Sequence, residues 1–353
     1  MSAEPGAARN MRAMVLHEWG GPLALEERPI PSPRAGEVLV RVIACGAGLT
    51  LVNVRSGVLG GDLPFTMGHE FGGVIERLGD GVSSWHVDQR VTASFHLICG
   101  HCVWCASGRE TLCANLGGVI GASMDGAFAD YVIVPERNLV AVPDGLELGI
   151  AGVASDAVAT PYHAARARAR LAPGQRAAVI GAGGGVGVHM VEVARAFGAD
   201  VTAVERDPVK VDRLRELGLG TAILAEDGMT GTALADAAGG QFDAVFDFVS
   251  TPQTIRQGVD ALGRGGVLVI VGASTGTADG IHSIDLINKE KSIVGSRYAT
   301  RAEIQKSLQL VADGNVSVHI GARFDLPQIQ DAFAAITSNA VFGRVIIDVC
   351  EKS

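Results

Sequence analysis

The stretch "AAVIGAGGGVGVHMVEVARAFG", residues 177–198, limits the possible folds of this chain more than any other. An apolar run ends in a cluster of glycines. Met190, Val193, Ala194 and Phe197 then recur at helical spacing. A buried strand, a tight turn and an amphipathic helix are predicted. Gly181, Gly184 and Gly187 fall every third residue. One makes the turn, one leaves no Cβ between backbone and a pyrophosphate, and the last lets the helix close on the strand. The helix N-terminus, entered through Gly185 and Val186, is where phosphates would sit.

The turn opens a longer rhythm. Between about residues 151 and 295, Val- and Ile-rich runs ("DVTAVE", "TAILA", "FDAVFDFV", "GVLVIVG") alternate with helix-length segments ("DPVKVDRLRELG", "PQTIRQGVDALG"). This predicts an α/β fold with a doubly wound parallel sheet and a dinucleotide site at its first turn. In "VERDP", Asp207 reads as a helix N-cap with Pro208 in the first turn. Glu205 is then free to accept hydrogen bonds from ribose hydroxyls, which favours NAD over NADP, although the neighbouring Arg206 acts against that preference.

Upstream, residues 13–142 read as short strands punctuated by Gly and Pro, an all-β unit. A terminal helix "RAEIQKSLQLVADG" and strand "GRVIIDV" are expected to rejoin it. The division expected is 1–155, 156–295 and 296–353; 353 residues exceed what one core usually carries. The net charge of −9 offers no basic footprint for nucleic acid or an anionic membrane. No apolar run approaches the ~20 residues of a membrane span. "MSAEPGAARN" lacks a signal-peptide core and reads as a loose tail, so a cytoplasmic protein is expected.

Cys99, Cys102, Cys105 and Cys113 crowd together as C-x-x-C-x-x-C, with seven residues before the fourth. Two-residue gaps turn successive thiolates onto one ion, and the longer lobe closes a tetrahedron. Four thiolates leave no open position, so one structural zinc is expected. An iron–sulfur cluster is the rival reading.

With "GEVLVRVIACG", "GHEFGGVIERLGDGV", the cysteine lobe, "GAGGGVG", "GGVLVIVG" and "FGRVIIDV" in place, the chain resembles the zinc-containing medium-chain alcohol dehydrogenases over nearly its whole length. The resemblance implies a GroES-like β domain, a Rossmann domain, a substrate cleft between them, and a homodimer or homotetramer. It implies that Arg344 contacts the cofactor pyrophosphate and that Thr50 serves a proton relay. It also implies a catalytic zinc on His69 and Asp156, with Glu70 beside them. The family's first ligand, a cysteine, falls on Gly48; the orienting carboxylate is Leu51 and the relay histidine is Asn53. Cys45 matches a family cysteine that is not a ligand. Losing both a thiolate and the carboxylate that orients the ligand His favours a site without a full second zinc.

The reading that follows is an NAD(H)-dependent oxidoreductase interconverting a fairly apolar alcohol and its aldehyde or ketone by hydride transfer. Thr50, His69 and Asp156 are its candidate catalytic residues; Tyr162 and His163 lie near the cleft in the family. One alternative is the zinc-independent ene or quinone reductases of the same superfamily. The other is a dinucleotide-binding protein without turnover.

Overall fold

The structure is a computed structural model that describes residues 9–273 and 280–350. Residues 1–8, most of the stretch read as a tail, lie outside them. The strands are β1 (Asn10–Leu16), β2 (Leu23–Pro29), β3 (Glu37–Ala47), β4 (Phe65–Thr66), β5 (Glu70–Leu78), β6 (Arg90–Ala93), β7 (Tyr131–Pro135), β8 (Leu139–Ala141), β9 (Arg176–Ile180), β10 (Asp200–Glu205), β11 (Thr221–Leu224), β12 (Phe242–Asp247), β13 (Leu262–Ile270), β14 (Ser292–Gly295), β15 (Ile320–Asp325) and β16 (Arg344–Asp348).

The alternating half forms a parallel sheet in the order β11-β10-β9-β12-β13-β14. The order reverses between β9 and β12, and β9 leads directly into the glycine turn. In such sheets ligands bind at this reversal, outside the carboxyl ends of the strands. The helix Gly187–Ala196 buries Val188, Met190, Val191, Val193 and Ala194 against the sheet. Phe197 caps the stripe half-buried, edge-on to Tyr162 at 5.5 Å between centroids.

The first half forms two sheets, β2-β1-β4 and the larger β15-β16-β3-β5-β6-β8, with β7 also on β3; every pairing is antiparallel except the parallel β15–β16. The chain end completes the larger one, because β16 pairs β3 from Val345↔Ala47 to Asp348↔Ala44. That pairing sets Arg344 beside the end of β3, next to Gly48, nearly three hundred residues away in sequence.

A helical run, residues 148–169, joins the halves. It is α-helical over Leu148–Val153 and Ala159–His163, but π-helical over Ala154–Val158 and Ala164–Ala169. The wider turn re-aims a side chain, and such bulges concentrate at functional sites. Asp156 sits in the first of them.

His189 is fully buried at the seam between the glycine turn and the chain end. Its Nδ1–H donates to Gly185 O (2.9 Å) and its Nε2 accepts from His319 N–H (2.9 Å), while His319 Nε2 lies 2.8 Å from Glu192. Both ring nitrogens are used by the neutral tautomer. Burial first, and the neighbouring His319 second, hold the His189 pKa down at about 3 against an ordinary 6.5. Below pH 6.5 the unfolded chain therefore takes up a proton that the folded one refuses. The stabilisation is complete above 6.5 and is lost progressively as pH falls toward 3, by about 1.4 kcal/mol per pH unit. Urea midpoints measured between pH 7.5 and 5 should show this slope, and His189→Gln should remove about that much of it. An unchanged slope in the variant would rule His189 out.

Candidate functional site

The loop and helix after β3 provide one side of the site. Gly48 precedes the helix Leu49–Arg55, which buries Leu51 and Val54 and presents Leu49 and Thr50 to solvent. Thr50 is exposed near the start of that helix, two residues after Gly48. The backbone of Gly48 is extended, so its glycine is not required by dihedral angles. Space is what the glycine leaves, since a Cβ there would overlap the guanidinium of Arg344 unless that group shifted.

His69 and Glu70 enter at the start of β5, Asp156 from the π-bulge and Arg344 from the start of β16. Their exposures are 2%, 1%, 8% and 3%, so four ionisable side chains share one dry volume. Arg344 donates through Nε to Glu70 Oε2 (3.0 Å) and through Nη2 to Glu70 Oε1. Its Nη2 also lies 3.5 Å from Asp156 Oδ2. Asp156 Oδ1 accepts from Thr160 Oγ1 at 2.7 Å. Burial lowers the Arg344 pKa to about 10, which leaves the guanidinium charged at neutral pH. His69 differs from the rest: neither ring nitrogen has a hydrogen-bond partner, and Nε2 stands 3.7 Å from both Glu70 Oε1 and Asp156 Oδ2.

An aromatic slab flanks His69. Phe95 lies 4.5 Å from its ring and stacks on Tyr298 at 3.8 Å, with His96 edge-on to both. Tyr298 holds a left-handed backbone (φ 50°), unusual for a bulky residue, and donates its hydroxyl to Ser155 O at 3.1 Å. Burial, then Asp156, raise the Tyr298 pKa well above its usual value. Burial likewise lowers His96 to about 3. The sequence reading missed Phe95 and Tyr298, and no local signal marks them, since only the fold sets these rings beside His69. His163 lies outside the slab: its Nδ1 is paired with Glu303 Oε2 at 2.9 Å.

The donor atoms of His69, Glu70 and Asp156 lie within 4.8 Å of one another. They nevertheless do not fit the family's cleft zinc. The thiolate position carries no side chain, Glu70 is committed to Arg344, and Asp156 is shared between Thr160 and Arg344. A buried guanidinium already supplies the positive charge that a metal would add.

The cysteine lobe fits its ion well. The sulfurs of Cys99, Cys102, Cys105 and Cys113 all lie within 4.8 Å of one another; Cys99–Cys105 is 3.9 Å and Cys102–Cys105 is 3.6 Å. A tetrahedron with ~2.3 Å zinc–sulfur bonds needs edges of ~3.8 Å. Backbone N–H groups at Cys105 and Ala114 pull Cys102 down to about 6, favouring the thiolate. These four residues would hold a structural zinc. Glu110 ties the lobe to the rest of the molecule, accepting from the Arg301 backbone N–H (2.9 Å) and from its Nε and Nη2 (3.1 and 2.9 Å).

The glycine turn also fits a dinucleotide. Gly181 has φ 81°, open to glycine at no steric cost. A Cβ on Gly187 would collide with the Gly181 carbonyl, whereas one on Gly184 would meet nothing but that oxygen, at 3.2 Å. Val186 stands at the N-cap position without a capping side chain, and Gly185 faces Arg344, 3.0 Å from the site a Cβ would take. Asp207 caps the next helix by accepting from Val209 N–H (2.9 Å), with Pro208 following. Glu205 is less free than its sequence position suggests. It accepts from the N–H groups of Gly183 (2.9 Å), Arg206 (2.8 Å) and Asp207 (3.2 Å), while the Arg206 side chain is exposed. The carboxylate therefore braces the turn itself. Lys210, not singled out from sequence, is buried beside it and donates to Asn339 Oδ1 at 2.9 Å; burial lowers its pKa, partly offset by Glu205 and Asp207.

Residues 34–144 match the alcohol dehydrogenase GroES-like domain, and residues 185–313 match the zinc-binding dehydrogenase domain. The chain is 32% identical to an alcohol dehydrogenase of Geobacillus stearothermophilus over 96% of its length and 100% of the relative's. It is 33% identical to one of Moraxella sp., covering 96% and 99%. Among solved structures it superposes on AibC with a TM-score of 0.91 at 30% identity, covering 98% and 97%. On a thermostable alcohol dehydrogenase from Pyrobaculum aerophilum the TM-score is 0.88 at 30% identity, covering 97% and 100%. With the three sheets, the glycine turn and the four-cysteine lobe in agreement, the chain belongs to the family of zinc-binding, alcohol dehydrogenase-like oxidoreductases.

Proposed function

We propose that this oxidoreductase uses NAD(H) to interconvert a fairly apolar alcohol and its carbonyl compound without a metal in the cleft. The observation carrying this reading is the unpaired imidazole of His69, set between two carboxylates and against the Phe95 ring. NAD would be held at the glycine turn around Gly181, Gly184 and Gly187, and would supply the hydride acceptor in oxidation and, as NADH, the donor in reduction. In oxidation His69 Nε2 accepts the alcohol's proton as the carbon gives up hydride; in reduction it returns that proton to the carbonyl oxygen. Glu70 and Asp156 stand 3.7 Å from that Nε2, and Arg344 holds both carboxylates in place. Phe95 and Tyr298 exclude water and present an apolar face to the substrate.

Glu205 supports NAD over NADP, since a buried carboxylate at the end of β10 would repel a ribose phosphate. We take residues 1–155 with 296–353 as the catalytic part and 156–295 as the dinucleotide-binding part, although one helical run crosses the boundary at 155. No helix among the described residues is long and apolar enough to cross a membrane. A cytoplasmic homodimer or homotetramer, with no nucleic-acid partner, completes the reading.

The filled ligand position also favours a second reading, hydride addition to an activated alkene, which needs only a hydrogen-bond donor at the carbonyl. A panel of apolar alcohols, ketones and enones followed by NADH absorbance separates the two. Turnover of alcohols and ketones is expected. Turnover of enones alone would assign the site to ene reduction, and NADH binding with no turnover of any class would leave a binding protein.

A further inference from the structure

An arginine fills the place from which a thiolate would reach into the cleft. A Cβ built on Gly48 would fall within the guanidinium of Arg344, overlapping Nη1 and Cζ and lying 2.8 Å from Nη2. Opposite Gly48 the same group meets both carboxylates of the cluster, Glu70 through Nε and Nη2 and Asp156 through Nη2. Two buried carboxylates with no cation would be strongly destabilising, and a planar fork of donors satisfies them with directional bonds.

We infer that Arg344 is the resident cation of this site, seated by Gly48 in the space of the missing ligand, and that it excludes a metal while positioning Glu70 and Asp156 around His69. The two residues act as a pair. The guanidinium occupies the space that a side chain at position 48 would enter, held there by its bonds to the carboxylates, and it leaves no room for a metal between them. Arg344 works through its neighbours and is a positioning residue. The inference deepens the metal-free reading proposed above and rests on it.

Zinc content of the intact chain, expressed with ample zinc and then dialysed, tests the pair by a readout independent of turnover. Wild type and Gly48→Cys should each retain one ion per chain, and the double variant Gly48→Cys/Arg344→Met should retain two. Retention of the lobe's ion and a cooperative melt report that each variant is folded. Arg344→Gln replaces Arg344→Met in the double variant if that chain does not fold. A folded double variant that stays at one ion would show that the guanidinium is not what keeps metal out. Gly48→Cys alone binding two would show that the arginine yields to a ligand. Either result overturns the inference and leaves the metal-free reading standing. Two ions on the wild type would instead remove the metal-free reading itself.

Discussion

His69→Gln is expected to lower kcat by about 10²- to 10⁴-fold while leaving NADH affinity nearly unchanged. Glutamine keeps much of the volume against Phe95 and can still offer a hydrogen bond, but it cannot take up a proton at neutral pH. The loss should therefore appear in kcat and not in folding. The affinity should hold because His69 enters with β5, a different element from the glycine turn that would seat the phosphates. NADH fluorescence titration and steady-state kinetics on the same preparation separate the two effects. A variant with wild-type kcat would place the proton acceptor elsewhere, with Thr50 the next residue to replace.

Loss of the lobe's metal should have the largest effect on stability. Structural zinc sites bind with roughly 10–16 kcal/mol in small peptides, and that binding free energy is folding free energy. Cys113→Ala removes the thiolate that closes the tetrahedron and also accepts the Cys99 N–H (3.3 Å). A fall in Tm on the order of 10 °C is expected, with loss of the zinc. Loosening of the lobe would reach the body of the protein through the Glu110–Arg301 bonds, because Arg301 opens the helix that follows Tyr298. Activity should fall in step with the folded fraction. A variant that melts like wild type yet turns nothing over would assign the lobe a direct part in the chemistry.

These two sites were not equally legible in the sequence. The cysteine lobe is local: four ligands within fifteen residues, with gaps that only a shared ion explains, are readable before any fold is known. The glycine turn and the alternating strands are local as well, because close packing and hydrogen-bonding period are written in neighbouring residues. The cleft is different. That Gly48 stands in a ligand's place can be read from its neighbours, but what fills the space cannot, since Arg344 arrives only through the pairing of β16 with β3. The pairing of His163 with Glu303 and the stacking of Tyr298 on Phe95 likewise depend on contacts between distant segments. Nor does the sequence between residues 148 and 169 announce two π-bulges. A helix this rich in small and apolar residues has no periodicity fine enough to show where its turns widen.

The most direct measurement of the central claim is the number of zinc ions per folded wild-type chain, by plasma emission spectrometry after dialysis. The account predicts one, removable only with loss of the fold. Two, the second lost to a mild chelator together with turnover, would contradict it and restore the metal to the cleft.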